Sequence, residues 1–218
     1  MNNKKIRIAI VGSALGGGAS QIIDALLDNV DYEPIGIFDS NLSSLHQLVL
    51  GVEVVDTSDK IVHYFQQNFF DAVVIAIGSD LHERARLFNQ FKLLKIPFIN
   101  VIDKTVQMRS DTKIGVGNVL LGGVYLGPHV VIGDNCYIIN NTSIQHHSII
   151  GNHCYFSTSV ALAGRVFVGD RVRFDTCSGA KANISIGENS LISAGCILTE
   201  NIPSNSVVEP PAYNIKSI

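Results

Sequence analysis

Three features that would point to other classes of protein are missing from this sequence: long apolar runs, runs of positive charge and closely spaced cysteines. No stretch of eighteen apolar residues occurs, so the sequence predicts no membrane span and a cytoplasmic location. The formal net charge is -3 and Lys4-Lys5 is the longest Lys/Arg run, which leaves no positive field to attract nucleic acid. The four cysteines contain no C-x-x-C pair, which argues against a zinc knuckle or a redox dithiol.

The second half of the chain is built on a repeat of six residues. An apolar residue occupies every sixth position from 114 to 198. Five glycines, each directly after one of these residues, are spaced eighteen apart, so three six-residue units form one larger repeat. The apolar positions are Ile114, Leu120, Leu126, Ile132, Ile138, Ile144, Ile150, Phe156, Leu162, Val168, Phe174, Ala180, Ile186, Ile192 and Leu198, and the glycines are Gly115, Gly133, Gly151, Gly169 and Gly187.

This double period predicts a coil of triangular cross-section with three short strands per turn. A helical period of 3.6 or a simple alternation does not explain it, whereas strands of this kind with a glycine easing one corner do. A small or β-branched residue, such as Cys136 or Cys154, stands four positions after most of the apolar ones, which suits a tight parallel-strand interior. We therefore expect these two cysteines to stack inside the coil as core residues.

The repeat resembles that of the hexapeptide-repeat acyltransferase superfamily. The resemblance covers about ninety residues and implies a left-handed parallel β-helix that assembles as a trimer, with acyl-CoA bound between neighbouring prisms. It is specific for the fold and less so for the reaction, because one fold hosts several activities.

The first half predicts a small parallel sheet with flanking helices. An apolar run over residues 6–11 leads into a glycine-rich loop and a helical pattern, and later runs over 34–38 and 70–77 and a helical pattern over 81–94 continue the alternation. Backbone N–H groups at such a loop approach phosphate closely, so Gly12 and Ser13 are candidates for binding a nucleotide diphosphate. Asp39, at the next strand end, is a candidate for a ribose or base contact. A purely structural turn and a simple cap stay open as alternatives.

Together the two halves resemble the sugar O- and N-acyltransferases of the sialic acid O-acetyltransferase and bacillosamine-pathway acetyltransferase type. The resemblance runs nearly end to end and rests on the glycine loop and three phrases: Ile75-Ala76-Ile77-Gly78, Ile144-Gln145-His146-His147 and Pro211-Ala212. It implies a Rossmann-like domain over residues 1–102 that holds a nucleotide sugar, and a β-helix domain over residues 103–218. Ile77 and Gly78 thereby join the substrate-binding candidates.

The activity that this resemblance implies is transfer of an acyl group, most simply from acetyl-CoA, to the amino group of a nucleotide-activated sugar for surface glycan synthesis. It further implies a homotrimer with active sites between subunits and no metal. O-acetylation of sialic acid or another sugar stays open. Relatives carry a Gly-His pair in the glycine loop and an Ile-His-Pro phrase before the β-helix, where this chain has Gly16-Gly17-Gly18 and Ile102-Asp103-Lys104, so the identity of the acceptor is also open.

Two adjacent histidines are the candidates for catalysis. Acyl transfer needs one base, and histidine suits this role because its unperturbed pKa is about 6.5. His146 follows Ile144 by two residues, at an outward corner, and matches the family's catalytic histidine. His147 stands where bacillosamine-type relatives have a glutamate that orients the base, and a neutral imidazole supplies no such charge. The plain alternative is that both fill a trimer interface, and His129 and His153 are expected at the surface or at an interface.

The resemblance also assigns ligand contacts. Tyr155 takes the place where relatives often have a second histidine that touches the acceptor, and packing between prisms is an equal alternative. Small residues that let the pantetheine arm lie along the coil are expected to bind coenzyme A, and the Gly164 amide is the candidate donor to the oxyanion. Two lysines are candidates for the coenzyme phosphates or are plain surface. These residues are Ala163, Gly164, Ala194 and Gly195, with Lys181 and Lys216 as the lysines.

Two other classes of protein stay open. A γ-class carbonic anhydrase shares the prism and binds zinc through histidines at the trimer interface, but His146, His147 and His153 lack the His-x4-His spacing that this enzyme requires. In the second alternative, an oxidoreductase or nucleotide-binding regulator, the first half holds NAD and the β-helix only oligomerises. No dehydrogenase-like set of catalytic residues is visible in the sequence.

Overall fold

The computed structural model describes residues 4–12 and 17–211. Its first part is an α/β domain in which strands alternate with helices, as the sequence predicts. The strands are β1 (Ile6–Val11), β2 (Tyr32–Phe38), β3 (Leu48–Val49), β4 (Val52–Asp56) and β5 (Ala72–Ile75), the helices are α1 (Gly18–Leu27), α2 (Ile61–Gln66) and α3 (Leu81–Leu93), and two short 3₁₀ turns cover Leu42–Ser44 and Ser58–Lys60.

The sheet of this domain has the order β3-β4-β2-β1-β5, with β1 near the centre and only the β3 edge antiparallel. Residues 8–11 of β1 are all apolar because both faces of the strand are covered there, which is typical of parallel sheets. On one side Ile8 and Ile10 pack with α1, and on the other Ala9 and Val11 pack with α2 and α3. The carboxyl ends of β1, β2 and β5 therefore meet at one edge, next to the start of α1.

The second part is a stack of two-residue strands, as the six-residue period predicts. They are β6 (Val101–Ile102), β7 (Gln107–Met108), β8 (Lys113–Ile114), β9 (Val119–Leu120), β10 (Tyr125–Leu126), β11 (Val131–Ile132), β12 (Tyr137–Ile138), β13 (Ser143–Ile144), β14 (Ile149–Ile150), β15 (Tyr155–Phe156), β16 (Ala161–Leu162), β17 (Phe167–Val168), β18 (Arg173–Phe174), β19 (Gly179–Ala180), β20 (Ser185–Ile186), β21 (Leu191–Ile192), β22 (Ile197–Leu198) and β23 (Val207–Val208).

These strands form three parallel sheets, which are the three faces of a triangular prism. The first face contains β6, β9, β12, β15, β18, β21 and β23, the second β7, β10, β13, β16, β19 and β22, and the third β8, β11, β14, β17 and β20. Partners along a face are eighteen residues apart, as in Tyr137 opposite Tyr155, except in the last pair, where Leu191 lies opposite Val207. The predicted apolar positions, with Cys136 and Cys154, fill the interior. The predicted fold class, a Rossmann-like domain followed by a left-handed β-helix, is confirmed.

The corners of the prism require a backbone conformation that few residues adopt easily. Every sixth residue from Asp111 to Gly195 has φ between 53° and 75°. Asn, Asp, His and Gly tolerate this left-handed region best, and they fill most of these positions. The five periodic glycines serve a different purpose from the easing of a corner that we predicted. A Cβ on Gly133 would lie 2.8 Å from the carbonyl oxygen of Gly151, so these glycines permit close stacking of coils.

One buried arginine joins the two domains. The Arg84 side chain, on α3, is fully buried and donates hydrogen bonds to the carbonyl oxygens of Ile75, Ile77 and Asn135 at 2.6 to 2.8 Å and to that of Gly117 at 3.4 Å. Burial lowers its pKa to about 10. Two of these carbonyls belong to the end of β5 and two to corners of the prism, so the guanidinium fixes the first face against the α/β domain.

His153 is part of this junction, and its expected place at the surface or at a trimer interface is therefore wrong. Its side chain is buried, its Nδ1 lies 2.9 Å from Asn135 Nδ2 and its ring meets the edge of Phe88. Burial, followed by the charge of Arg84, lowers the pKa of His153 to about 4. The imidazole is neutral here because a second positive charge beside Arg84 would be buried without compensation.

Candidate active site

The two candidate histidines lie at the corner between the second and third faces. β13 ends at Ile144, the chain turns through Gln145, His146 and His147, and β14 begins at Ile149. The turn is held to the neighbouring coils by backbone bonds from His147 N–H to the Pro128 oxygen at 3.0 Å and from Arg165 N–H to the His146 oxygen at 2.9 Å. Both side chains therefore project from a rigid frame.

The imidazole of His146 lies directly against Gly164, one coil further along the same corner. A Cβ on Gly164 would stand 2.5 Å from His146 Cε1 and 2.6 Å from Nε2, which is far inside van der Waals contact. Only glycine leaves room for the ring in this position. Gly164, predicted as a coenzyme contact and oxyanion donor, thus also determines where the candidate base sits.

The side chain of His147 lies within hydrogen-bonding distance of His146. Its Nδ1 lies 3.1 Å from His146 Nδ1, and the two rings are nearly perpendicular. His129, one coil earlier, approaches His147 with ring centroids 4.8 Å apart, and Asp111 Oδ2 lies 3.6 Å from His129 Nδ1. Desolvation, followed by the charges of His129 and Arg165, lowers the pKa of His147.

The predicted nucleotide-binding residues gather at the carboxyl edge of the α/β sheet. Gly12 has φ 84° and donates a hydrogen bond to the Phe38 oxygen at 2.7 Å, and a Cβ on it would meet Ile77 Cγ1 at 2.6 Å. Asp39 follows Phe38, is buried and accepts a hydrogen bond from Asn41 N–H at 2.9 Å. This edge is where open α/β sheets bind their ligands. Ser13 lies outside the described residues.

A cavity of about 280 Å³ continues from this edge toward the prism. It lies between the start of α1, the end of β5 and the first face, and it brings Gly78 and Tyr155 together, since a Cβ on Gly78 would meet the Tyr155 ring at 2.9 Å. Tyr137 forms the floor, and burial raises its pKa to about 12. At Ser79 the cavity joins a wider groove of about 430 Å³ that is lined by Arg171 and Arg173. A ligand of nucleotide-sugar size fits a crevice of this extent.

The small residues predicted for the coenzyme lie on two corners that border the second face. Ala163 and Gly164 are at the corner that carries His146, and Ala194 and Gly195 are at the corner between the first and second faces, where nothing lies within 4 Å of a Cβ built on Gly195. On the second face three successive outward positions, Ser143, Ala161 and Gly179, are also small, and the larger Tyr125 and Ile197 stand at the two ends of this strip. This smooth strip was not predicted, although outward small residues eighteen apart were visible in the sequence.

A single chain does not bring the two halves of the candidate site together. Tyr155, Gly78 and the cavity lie on the first face, whereas His146 lies at the corner opposite that face. Arg84 and Asn135, which anchor the cavity wall, were missed because a lone arginine in a helix gives no sequence signal of burial. Lys181 is exposed at the His146 corner two coils further on, and Lys216 and Ala212 lie outside the described residues.

The described part of the chain contains no metal-binding cluster and no membrane-spanning helix. Over residues 4–12 and 17–211, no three His, Cys, Asp or Glu side chains are placed to hold a metal ion. The longest helix in these ranges, α3, has 13 residues, and no helix there is long and apolar enough to cross a membrane.

Comparison with known proteins identifies what this arrangement resembles. Residues 7–91 match the family described as PglD N-terminal domain. This match confirms the resemblance predicted from the sequence for the first domain, and the solved structures below share the fold of both domains. No curated protein matches the chain in sequence.

Two solved structures show the extent of the likeness. PerB from Caulobacter crescentus, in complex with CoA and GDP-perosamine, has a TM-score of 0.82 and 22% identity, with 91% of this chain and 92% of that chain covered. The acetyltransferase domain of PglB from Neisseria gonorrhoeae, in complex with acetyl coenzyme A, has a TM-score of 0.82 and 15% identity, with 94% and 96% covered. The TM-scores establish a common fold, and at these identities the likeness extends to the fold alone.

Proposed function

We propose that this protein transfers an acetyl group from acetyl-CoA to the amino group of a nucleotide-linked amino sugar. The observation that carries the proposal is the imidazole of His146, held against Gly164 at the edge of a strip of small residues. A base, an unobstructed path for a thin pantetheine arm and a nearby backbone N–H are what acyl transfer requires. PerB and PglB, which share this fold, were solved with CoA or acetyl coenzyme A.

In the proposed reaction, His146 removes one proton while the sugar amine attacks the thioester carbonyl. A C–N bond forms, the carbonyl oxygen becomes an oxyanion and the C–S bond then breaks, so that coenzyme A leaves as the thiolate and takes up a proton. No hydrogen bond to the Gly164 N–H is formed by any described residue, so this donor is available for the oxyanion. Base catalysis of this kind contributes about 10² to 10⁴-fold.

The acceptor would lie with its diphosphate near Gly12 and α1 and its sugar in the cavity beside Tyr155. PerB was solved with GDP-perosamine, a nucleotide-linked amino sugar, which supports this class of acceptor. The cytoplasm, which supplies acetyl-CoA, is the proposed location. The glycine loop has Gly16-Gly17-Gly18 in place of a Gly-His pair, so the acceptors to be compared should carry different nucleotides.

A homotrimer would complete each site from two subunits. The first face carries the acceptor cavity, and His146 lies in the turn of coil between Tyr137 and Tyr155, at the opposite corner. In a ring of three parallel prisms, equivalent coils lie at one height, so His146 of one subunit can reach the cavity of the next. The outward residues Val131, Ile149 and Phe167 form an exposed apolar column on the third face, 36%, 47% and 52% exposed, which a neighbouring subunit would cover.

The test is thiol release from acetyl-CoA with UDP-, GDP- and dTDP-linked amino sugars, their hydroxyl counterparts and free sialic acid. The proposal expects acetylation of at least one amino sugar and a loss of at least 10²-fold in kcat for His146→Ala. The matched control is His63→Ala, at an exposed histidine of α2, which should leave turnover unchanged. Acetylation of hydroxyl sugars alone, or full turnover of His146→Ala, would contradict the proposal.

A further inference from the structure

The pair formed by His146 and His147 raises a question of protonation that a carboxylate partner would not. A hydrogen bond between two Nδ1 atoms, here 3.1 Å apart, needs a proton on one ring and a lone pair on the other. If His146 carries that proton, its Nε2 keeps a lone pair and can accept a proton from the substrate. If His147 carries it, His146 must hold its own proton on Nε2 and cannot act as a base there.

We propose that His147 is a positioning residue that accepts the Nδ1 proton of His146 and thereby holds the base in its active tautomer, and that it does so only while it is neutral. This proposal rests on the proposed function. A charged His147 has protons on both nitrogens, so it would donate to His146 Nδ1 and force the inactive tautomer. Protonation of His147 would therefore stop His146 from acting as a base, so the proposed arrangement requires a neutral His147.

The surroundings of His147 oppose that protonation. Arg165 lies one coil further along the same corner and His129 one coil earlier, with its ring 4.8 Å away, and both disfavour a positive charge on His147. His146, on the same turn, acts in the same direction. The carboxylate of Asp111 lies at the same corner, and its Oδ2 is 3.6 Å from Nδ1 of His129 and therefore faces that ring. Desolvation and the neighbouring positive charges therefore both disfavour the protonated form of His147.

Position 147 permits variants that separate the hydrogen bond from the backbone. Its φ is 60°, which glycine and asparagine tolerate best among the residues. His147→Gly keeps the turn and removes the acceptor, whereas in His147→Asn the side-chain oxygen can replace Nδ1 and does not titrate. His147→Glu supplies a charged acceptor. Asn141→Gly, at another corner with φ 60°, controls for the effect of a corner glycine.

Kinetics over a range of pH should distinguish these variants. We expect His147→Gly to lose about 10 to 100-fold in kcat with little change in KM for acetyl-CoA, and His147→Asn to recover at least tenfold of that loss. His147→Glu should move the acidic limb of kcat/KM to higher pH by about one unit, because a carboxylate favours the protonated base. The amine of the sugar titrates identically in all variants, so it does not affect these differences. Equal turnover of His147→Gly and the wild type would overturn the proposal.

A second measurement keeps the inference separate from the proposed activity. Nitrogen-15 spectra of histidine-labelled protein report which ring nitrogen carries the proton, without any substrate. We expect a proton on Nδ1 and a free Nε2 for His146, and the reverse for His147, at neutral pH. A proton on His146 Nε2 under these conditions would overturn the inference even if the enzyme is active. If the spectra show the expected tautomers but no sugar is acetylated, the assignment of the histidine pair stands and only the proposed function is contradicted.

Discussion

Replacing Gly164 by alanine should misplace the imidazole of His146, the proposed base, without unfolding the prism. The new Cβ would lie 2.5 Å from His146 Cε1, 2.6 Å from Nε2 and 3.1 Å from Nδ1. Ordinary contacts between such atoms are about 3.5 to 4 Å, so the ring must move by about 1 Å. The ring lies at the surface and can swing outward, which keeps the cost in folding stability small.

That displacement should lower the rate of acetyl transfer. A misplacement of about 1 Å costs about 10²-fold in rate, or about 2.7 kcal/mol in the free energy of the transition state. We therefore expect kcat for thiol release to fall by roughly 10²-fold, while the temperature of unfolding changes little. Gly122→Ala is the matched control, because its Cβ would meet only side-chain atoms at 3.2 Å or more at a different corner.

Combining the variants tests whether the loss acts through His146. Two substitutions that impair one interaction are not additive, so Gly164→Ala should cause little further loss in the His146→Ala background. If Gly164→Ala keeps wild-type turnover, or lowers it equally with and without His146, the contact between the ring and the glycine does not position the base and the reasoning is refuted.

Three further predictions concern the assembly and its stability. Arg84→Met leaves four carbonyl oxygens without their donor and should lower the free energy of unfolding in urea by about 3 to 5 kcal/mol. The exposed control Arg86→Met should lower it by about 0.5 kcal/mol, and equal effects of the two substitutions would contradict the role of Arg84. His153, whose pKa is about 4 in the folded chain and about 6.5 in the unfolded one, should make stability fall as pH drops from 6.5 to 4, by up to ~3 kcal/mol. His153→Asn should remove that part of the pH dependence, and an unchanged dependence would show that another group titrates. Phe167→Glu should dissociate the proposed trimer into subunits of 23.6 kDa in light scattering, whereas Phe167→Leu should keep it intact. A trimeric Phe167→Glu would exclude the third face as the interface.

The β-helix was predictable because its sequence carries the periodicity of its structure. Each coil repeats the same three strands, so apolar residues such as Ile138 and Phe156 recur at fixed spacing and stack directly. The corner conformation is also encoded, in the Asn, Asp, His and Gly residues at positions with positive φ. Our prediction assigned it instead to the glycines that follow the apolar residues. Helix α3 was predicted over 81–94 and observed over Leu81–Leu93.

The candidate site was predictable in its residues but less so in its arrangement. His146, Gly164, Gly78 and Tyr155 were candidates from the family resemblance, yet the contact of His146 with Gly164 depends on which residues stack at one corner of the prism. The burial of Arg84 and His153 was not predictable, because it arises from the docking of two domains through residues that are far apart in sequence, such as Arg84 and Asn135. A titratable side chain carries no local pattern that distinguishes such a junction from the surface.

Complementation between two inactive variants tests the central claim most directly. His146→Ala removes the proposed base, and Ser79→Trp fills the proposed acceptor cavity at an exposed loop position, so each should be inactive alone. In randomly mixed trimers about one quarter of the sites pair an intact base with an intact cavity from the next subunit, so acetyl transfer should return to about one quarter of the wild-type rate. Mixed trimers that remain inactive would contradict a site shared between subunits.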